Sequence, residues 1–495
     1  MAVLQSLDHA PLSESAVAKT ASVQAHESTS ALQRRAHLRA WDKLNTTHRE
    51  SKFNIVVLGG SVTAGTHCTP GPPNPDCAFP ARLGQRLGYL NRSRVIVSNR
   101  AVGGMHSLAA LAQLEQLTAG PDGTDSEPDL LLLDFSANDW TLEVSGWAER
   151  AKYTEALLRQ LCNVHPHVAV ILMLTAVQGT PDRPDVHRQP TSCLRPLGNY
   201  SAVNRIASYY GFPTATYLDA LSCSVSTDNC RQCWPPAWFH QYKSPTTIGF
   251  LRSTQDGTQH YEGNGMHPSS KTHELIGSFV ASWWASYISQ LRFRGGGDSQ
   301  AALSNEHFPP HDLPHGTASW RKTSWRNAVP ALPPALDPDV LLPRYSSCRP
   351  LAVHDAKLSA NNFSAERWTL WEDRPGKPGW ISSGAPGAVL TFPVAFGAEP
   401  SLSMIYEKGY EGFGAVKLTV DSKTRSKQSA KGLIISGMRS DGLNVTQAEV
   451  LHLSHGRFGV LGPDVFDIKP YSSTTLRLET TSVGLKFKVR SVLSC

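Results

Sequence analysis

The sequence has no block of like charge. Lysine and arginine total 47 against 41 acidic residues, and the net charge of +6 is spread over 495 residues. Without a Lys/Arg run there is no electrostatic footprint for nucleic acid, and no nucleic-acid partner is expected. A membrane-length apolar run is also missing. The longest apolar stretch, Leu275–Leu291, is broken by Ser278, Ser282, Ser286 and Gln290. It reads as an amphipathic core helix, not a transmembrane segment. Residues 1–50 contain no apolar signal core, only a polar stretch rich in Ala, Ser and His.

Cysteine is sparse, with nine residues, but its placement is informative. Cys68 and Cys77 lie in a loop rich in Pro, Gly, Asn and Asp, where a small disulfide loop is expected. Cys348 and Cys495 bracket the C-terminal segment, and a bond between them would tie its ends together. Cys230-Arg-Gln-Cys233 lacks a second ligand pair at zinc spacing, since Cys193 and Cys223 fit poorly. Disulfides are therefore expected rather than zinc, with the pairing of Cys193, Cys223, Cys230 and Cys233 open. Cys162, inside an apolar helical pattern, reads as a core thiol. Five Asn-x-Ser/Thr sequons, at Asn45, Asn91, Asn199, Asn362 and Asn444, are N-glycosylation candidates. Cysteines and sequons together suggest the secretory pathway or the extracellular space. The missing signal core leaves an upstream start, unconventional export or an intracellular location open.

The length calls for two domains. Residues 1–30 read as disordered or weakly helical. From Ala31 to residue 292, apolar strands alternate with helical patterns. Strands are expected at Ile55–Leu58, Arg94–Ser98, Asp129–Phe135, Val168–Thr175 and Thr214–Leu218. Helices are expected at Ala31–Leu44, Ala78–Leu90, from Ser107, at Val144–Cys162, Asn199–Tyr210 and Lys271–Leu291. Such alternation gives a three-layer α/β sandwich with a parallel, flavodoxin-like sheet. A long insertion at 220–258, with Trp234-Pro-Pro-Ala-Trp-Phe239, reads as a substrate wall. Residues 293–343 are a Pro/Gly-rich linker. Residues 344–495 carry short alternating segments between turn signals and read as a jelly-roll-like β-sandwich. Trp368, Trp371, Trp380 and Tyr410 are candidates for a sugar-stacking surface, with at least half expected in the core.

The chemistry begins in Phe53-Asn-Ile-Val-Val-Leu-Gly-Gly-Ser61. An apolar strand runs into two glycines and a serine at the expected start of a helix. There, backbone N–H groups and the helix dipole favour an oxyanion. At later strand ends come Asn99-Arg-Ala-Val-Gly-Gly104, Ser136-Ala-Asn138-Asp139 and, before the last helix, His267-Pro268. A nucleophile, oxyanion donors and a base are the set that ester hydrolysis needs.

These four blocks, in this order, resemble the SGNH (GDSL-like) hydrolase family over about residues 50–292. The resemblance implies that Ser61 is the nucleophile. It implies an oxyanion hole made of the Ser61 and Gly104 backbone N–H groups and the Asn138 amide, with His267 as general base. Gly104 is preferred to Gly103 because it fits the family spacing from Asn99. Four positions depart from the family. Gly-Gly-Ser stands for Gly-Asp-Ser, Ser-Ala-Asn-Asp for Gly-x-Asn-Asp, and Thr272 for a glycine. Asn264 stands where the family has the Asp that orients the histidine. An amide oxygen orients imidazole but does not stabilise imidazolium as a carboxylate does. Asp256 and Glu262 are nearby substitutes.

The expectation is a serine esterase, without metal or organic cofactor, acting on O-acyl esters of carbohydrate, with O-acetyl foremost. The rival enzyme is a lipase or lysophospholipase. The rival from another class is a non-catalytic carbohydrate-binding or adhesion protein on a relic esterase fold. Nothing in the sequence speaks to oligomeric state.

Overall fold

The structure is a computed structural model. It describes residues 30–45, 52–66, 68, 74–91, 94–118, 127–139, 147–175, 198–217, 250–253, 259–262, 268, 270–295, 349–352, 364–373, 377, 379–382, 384–397, 400–421, 432–439, 446–454 and 470–494. Contacts divide the chain into two compact units. The first holds Met1–Ala101, Glu115–Trp140 and Leu161–Pro338, and the second holds Val102–Leu114, Thr141–Gln160 and Asp339–Cys495.

The helices and strands through residue 216 are, in order, α1 (Ala31–Asn45), β1 (Lys52–Gly59), α2 (Phe79–Asn91), β2 (Arg94–Asn99), α3 (Ser107–Ala112), α4 (Leu114–Thr118), β3 (Leu130–Asp134), α5 (Ser136–Asp139), α6 (Trp147–Val164), β4 (Ala169–Leu174), α7 (Gly198–Tyr210) and β5 (Thr214–Thr216). A hairpin of β6 (Phe250–Ser253) and β7 (Gln259–Glu262) follows, then α8 (Ser270–Gly295). The five expected strands form one parallel sheet in the order β2-β1-β3-β4-β5. β3 and β4 are buried along their whole length, as apolar strands covered on both faces must be. Against the sheet, Phe279, Trp283, Trp284 and Tyr287 of α8 join Phe53, Ile55, Val57, Leu130 and Ile171 in one core.

α1 buries two polar side chains with the core, and each has a task. β5 is short, so the start of β4 lacks a strand neighbour there. The Gln33 amide fills the gap, donating to Val168 O at 3.1 Å and accepting from Val170 N at 3.0 Å. His37 accepts from Trp284 Nε1 at 3.1 Å on Nδ1, so its Nε2–H donates to Val170 O at 3.1 Å. Buried backbone groups are thereby paired without a sheet partner.

The second unit carries β8 (Arg349–Ala352), β9 (Ser364–Glu366), β10 (Trp368–Trp371), β11 (Gly379–Ser382), β12 (Val389–Ala395), β13 (Ser401–Lys408), β14 (Ala415–Asp421), β15 (Leu433–Ser436), β16 (Gln447–Ser454), β17 (Ser473–Thr480) and β18 (Lys488–Ser494). One antiparallel sheet runs β10-β11-β18-β13-β16 with β8 beside β18, and the other runs β15-β14-β17-β12-β9. Leu390, Phe392, Leu418 and Leu478 from one sheet share a core with Met404, Val489 and Val492 from the other. This is the expected β-sandwich. Its first and last strands pair, with Arg349 opposite Ser494. Cys348 and Cys495 lie outside the described residues. The four aromatics divide evenly: Trp368 (4 % exposed) and Trp380 (9 %) are core, while Trp371 (61 %) and Tyr410 (40 %) face solvent. Lys488 is fully buried, with Nζ 2.5 Å from Asp373 and 3.4 Å from Glu407.

Cys68 and Cys77 form the expected disulfide, with Cα atoms 6.2 Å apart. Closing a loop of this size stabilises by about 2–3 kcal/mol in the chain-entropy account. Cys162 is buried and outside any disulfide. No helix among the described residues is long and apolar enough to cross a membrane. Among them no cluster of metal-ligating side chains occurs. Cys193, Cys223, Cys230, Cys233 and the Trp234–Phe239 stretch lie outside the described residues.

Two buried histidines of the first unit tie its stability to pH. Burial lowers the His37 pKa to about 3. Burial, and then the charge of Arg82, does the same to His273, whose Nδ1 accepts from Phe79 N at 3.2 Å. A depressed histidine pKa means that the unfolded chain binds protons first. Stability is therefore complete above about pH 6.5 and is lost as pH falls towards about 3. Calorimetry across that range should show Tm falling with pH, with a shallower fall in His37→Gln; a flat profile would contradict the burial of neutral imidazoles.

Candidate active site

In an open parallel sheet, ligands bind beyond the C-terminal strand ends where the strand order reverses. Here the order β2-β1-β3 places that point between β1 and β3. Ser61 follows β1 and the Ser136–Asp139 turn follows β3. In the register of these strands Gly59 lies opposite Asp134, and Gly60 N–H donates to Asp134 O at 3.2 Å. The two segments therefore leave the sheet side by side.

The residues after β1 correct one expectation. Ser61 does not open a regular helix, because residues 61–66 form successive turns and α2 begins only at Phe79. Ala64 N–H donates to Gly60 O at 3.0 Å and Thr66 N–H to Ser61 O at 3.0 Å. Cys68 and Asn74 amides then return to Gly65 O, and the disulfide closes the loop. Only one turn's worth of peptide dipoles faces Ser61, so the field there is local rather than that of a long helix. Ser61 is half-buried, and among the described residues its backbone N–H donates to no protein acceptor.

Asp134 is the centre of the arrangement. It is buried at the end of β3 and accepts three side-chain hydroxyls. Thr63 Oγ1 donates to Oδ2 at 2.8 Å, Thr175 Oγ1 to Oδ2 at 2.7 Å and Ser136 Oγ to Oδ1 at 3.0 Å. Burial pushes its pKa above the ordinary carboxylate value, and the three donors pull against that. Gly59 is what lets Thr63 come so close. A Cβ there would lie 2.3 Å from Thr63 Oγ1 and 2.6 Å from Asp134 O. On its other side, Thr63 O accepts from Asn99 Nδ2 at 2.8 Å, and Asn99 Oδ1 accepts from Ala101 N at 3.1 Å. The ends of β1, β2, β3 and β4 are thus joined by one network.

In the β3 segment, Asn138 and Asp139 N–H groups both donate to Phe135 O, at 3.0 and 2.8 Å. The Asn138 side chain is half-buried. Gly104 belongs by its contacts to the second unit, where it is buried with φ 78°. His267 and Asn264 lie outside the described residues, as does Asp256; Glu262 is the last residue of β7. Pro268 is buried just before α8, and Thr272, at the family's glycine position, is fully buried. Among the sequons, Asn45 is exposed at the end of α1, Asn91 ends α2, Asn199 is in α7, and Asn362 and Asn444 lie outside the described residues.

Residues 57–275 match the family described as GDSL-like Lipase/Acylhydrolase. The first domain belongs to that family. The protein is accordingly an ester-hydrolysing enzyme. Its fold is similar to a two-domain esterase (CEX) active on acetylated mannans, at 15% identity and a TM-score of 0.52, covering 93% of this chain and 94% of that one. It is similar also to that two-domain esterase co-crystallised with mannopentaose, at 15% identity and TM-score 0.51, covering 95% of each chain. No curated protein sequence matches.

The GDSL-like domain holds its strand ends with residues that sequence reasoning passed over. Thr63, Asp134 and Thr175 were not singled out. The available signal was a carboxylate closing the all-leucine run Leu130–Leu133, since a charged group at the end of a buried strand requires partners. In urea unfolding, Asp134→Asn should cost about 1–3 kcal/mol, because an amide accepts through one oxygen only. Asp134→Asn combined with Thr63→Val should cost less than the sum of the two. Full additivity would show that the two side chains do not share a network.

Proposed function

We propose that this protein is a serine esterase that removes O-acyl groups, O-acetyl foremost, from carbohydrate. Ser61 is the nucleophile, and the Ser61 and Gly104 N–H groups with the Asn138 amide form the oxyanion hole. His267 is the base, oriented by Asn264. The observation that carries the reading is the placement of Ser61 and the Ser136–Asp139 turn side by side at the switch point of a GDSL-like domain. The fold it shares with a two-domain esterase active on acetylated mannans supports a glycan ester as substrate.

His267 takes the Ser61 proton as Oγ attacks the acyl carbonyl. The tetrahedral oxyanion accepts hydrogen bonds from the three donors. Its collapse breaks the ester C–O bond, and His267 returns the proton to the departing sugar hydroxyl. Water then attacks the acyl-enzyme by the same route, releasing the free acid and restoring Ser61. Because Asn264 carries no charge, the imidazolium formed at each step has less support than in the usual triad. The Cys68–Cys77 disulfide and the sequons favour a secreted setting for this activity.

The purified protein should cleave p-nitrophenyl acetate and release acetate from acetylated mannan, and Ser61→Ala should abolish both. Equal rates in the two proteins would end the esterase reading. Preference for long acyl chains over acetyl would favour the lipase alternative. Asn264→Asp should equal or exceed the parent in kcat; a folded but inactive Asn264→Asp would show that the amide has a role of its own.

A further inference from the structure

Two turns of the first unit hang on the two oxygens of one carboxylate. The turn after β1 carries Ser61 and Thr63, and Thr63 Oγ1 donates to Asp134 Oδ2 at 2.8 Å. The turn after β3 carries Ser136 and Asn138, and Ser136 Oγ donates to Asp134 Oδ1 at 3.0 Å. These residues all belong to the same compact unit. Each turn is also closed on itself. Thr66 N–H returns to Ser61 O at 3.0 Å, and the Asn138 and Asp139 N–H groups return to Phe135 O at 3.0 and 2.8 Å. A turn closed in this way moves as a body, so the hydroxyl that ties it to Asp134 sets its direction.

Ser136 is the unusual member of this chain of contacts. It occupies the position at which the Gly-x-Asn-Asp pattern has glycine. A glycine there has no hydroxyl to give, and it frees the backbone at the first residue of the turn. Thr175 does not stand in for Ser136, because its hydroxyl is spent on Oδ2, at 2.7 Å. Asp134 is buried, so a carboxylate oxygen that loses a donor there is costly to leave unpaired. On the other side of the carboxylate, Thr63 is held independently, since its backbone O accepts from Asn99 Nδ2 at 2.8 Å. The Ser61 turn is thus the fixed partner, and Ser136 ties the Asn138 turn to it.

We infer that Ser136 is a positioning residue of the esterase: its hydroxyl, through Asp134 and Thr63, sets the Asn138 turn relative to the Ser61 turn, so that the Asn138 amide meets the oxyanion formed on Ser61. The inference rests on the roles proposed above for Ser61 and Asn138. It makes the departure from the family's glycine a working part of this site. Ser136 acts through Asn138 and does not itself touch the ester.

The test uses the full-length protein and p-nitrophenyl acetate, with active sites counted by titration with a p-nitrophenyl phosphonate. Ser136→Ala removes the hydroxyl, and Ser136→Gly installs the family residue. Each should lower kcat per titratable site about 10–100-fold, as a misdirected oxyanion donor does, with KM little changed. Ser136→Thr keeps a hydroxyl and should recover most of the loss. Thr63→Val breaks the tie from the other side and should also lower kcat per site. Combined with Ser136→Ala, it should cost less than the product of the two single losses. In the phosphonate adduct, the phosphorus NMR resonance reports the hydrogen bonds to the phosphoryl oxygen. It should shift in Ser136→Ala and return in Ser136→Thr. A merely structural Ser136 would lower the number of titratable sites and leave kcat per site and the resonance at their parental values; that result overturns the inference and leaves the esterase reading intact. A Ser136→Thr protein as impaired as Ser136→Ala overturns it too, since the hydroxyl would then not be the cause. A parent without Ser61-dependent hydrolysis overturns both readings. If Ser136→Gly does not fold, the Ala and Thr pair decides.

Discussion

A carboxylate buried at the end of a strand must be given donors, and in this protein the donors come from three different segments. Asp134 accepts from Thr63 after β1, from Ser136 after β3 and from Thr175 after β4. Each hydroxyl belongs to a chain leaving the sheet at the same edge. The carboxylate therefore does for the strand ends what hydrogen-bond ladders do inside the sheet. It fixes the turn that presents Ser61 relative to the turn that presents Asn138. Gly59 is the steric condition for this, since any side chain there would occupy the place of Thr63 Oγ1. Asn99 extends the same order to the end of β2 by holding Thr63 O.

The covered edge of the C-terminal sheet follows the same logic. β16 leaves Ala448 with two unpaired backbone groups, and the Gly104 loop satisfies both. The loop and the sheet edge thus stabilise one another. In the same domain Trp371 and Tyr410 are exposed, while Trp368 and Trp380 serve the core.

Much of this was legible in the residues. Periodicity gave the five parallel strands, because buried parallel strands are apolar throughout and the runs around Val56, Leu131 and Ile171 are unbroken. The order of Ser61, Gly104, Asn138 and His267 pointed to the family that the comparison then identified. Two things were not legible. The helix expected at Ser61 is a set of turns, because the Cys68 and Asn74 amides return to Gly65 O and the Cys68–Cys77 disulfide closes the loop before a helix can propagate. The hydroxyl network at Asp134 and the edge contact at Ala448 join residues far apart in sequence, so no local pattern announces them.

The central claim is that Ser61 and its donors form one assembled site. The most direct measurement is a crystal structure of the protein inactivated with a p-nitrophenyl phosphonate. The account predicts a bond from phosphorus to Ser61 Oγ, with the phosphoryl oxygen about 2.7–3.1 Å from the Ser61 and Gly104 N–H nitrogens and from Asn138 Nδ2. An adduct on another residue, or a phosphoryl oxygen turned away from Gly104 and Asn138, would contradict it.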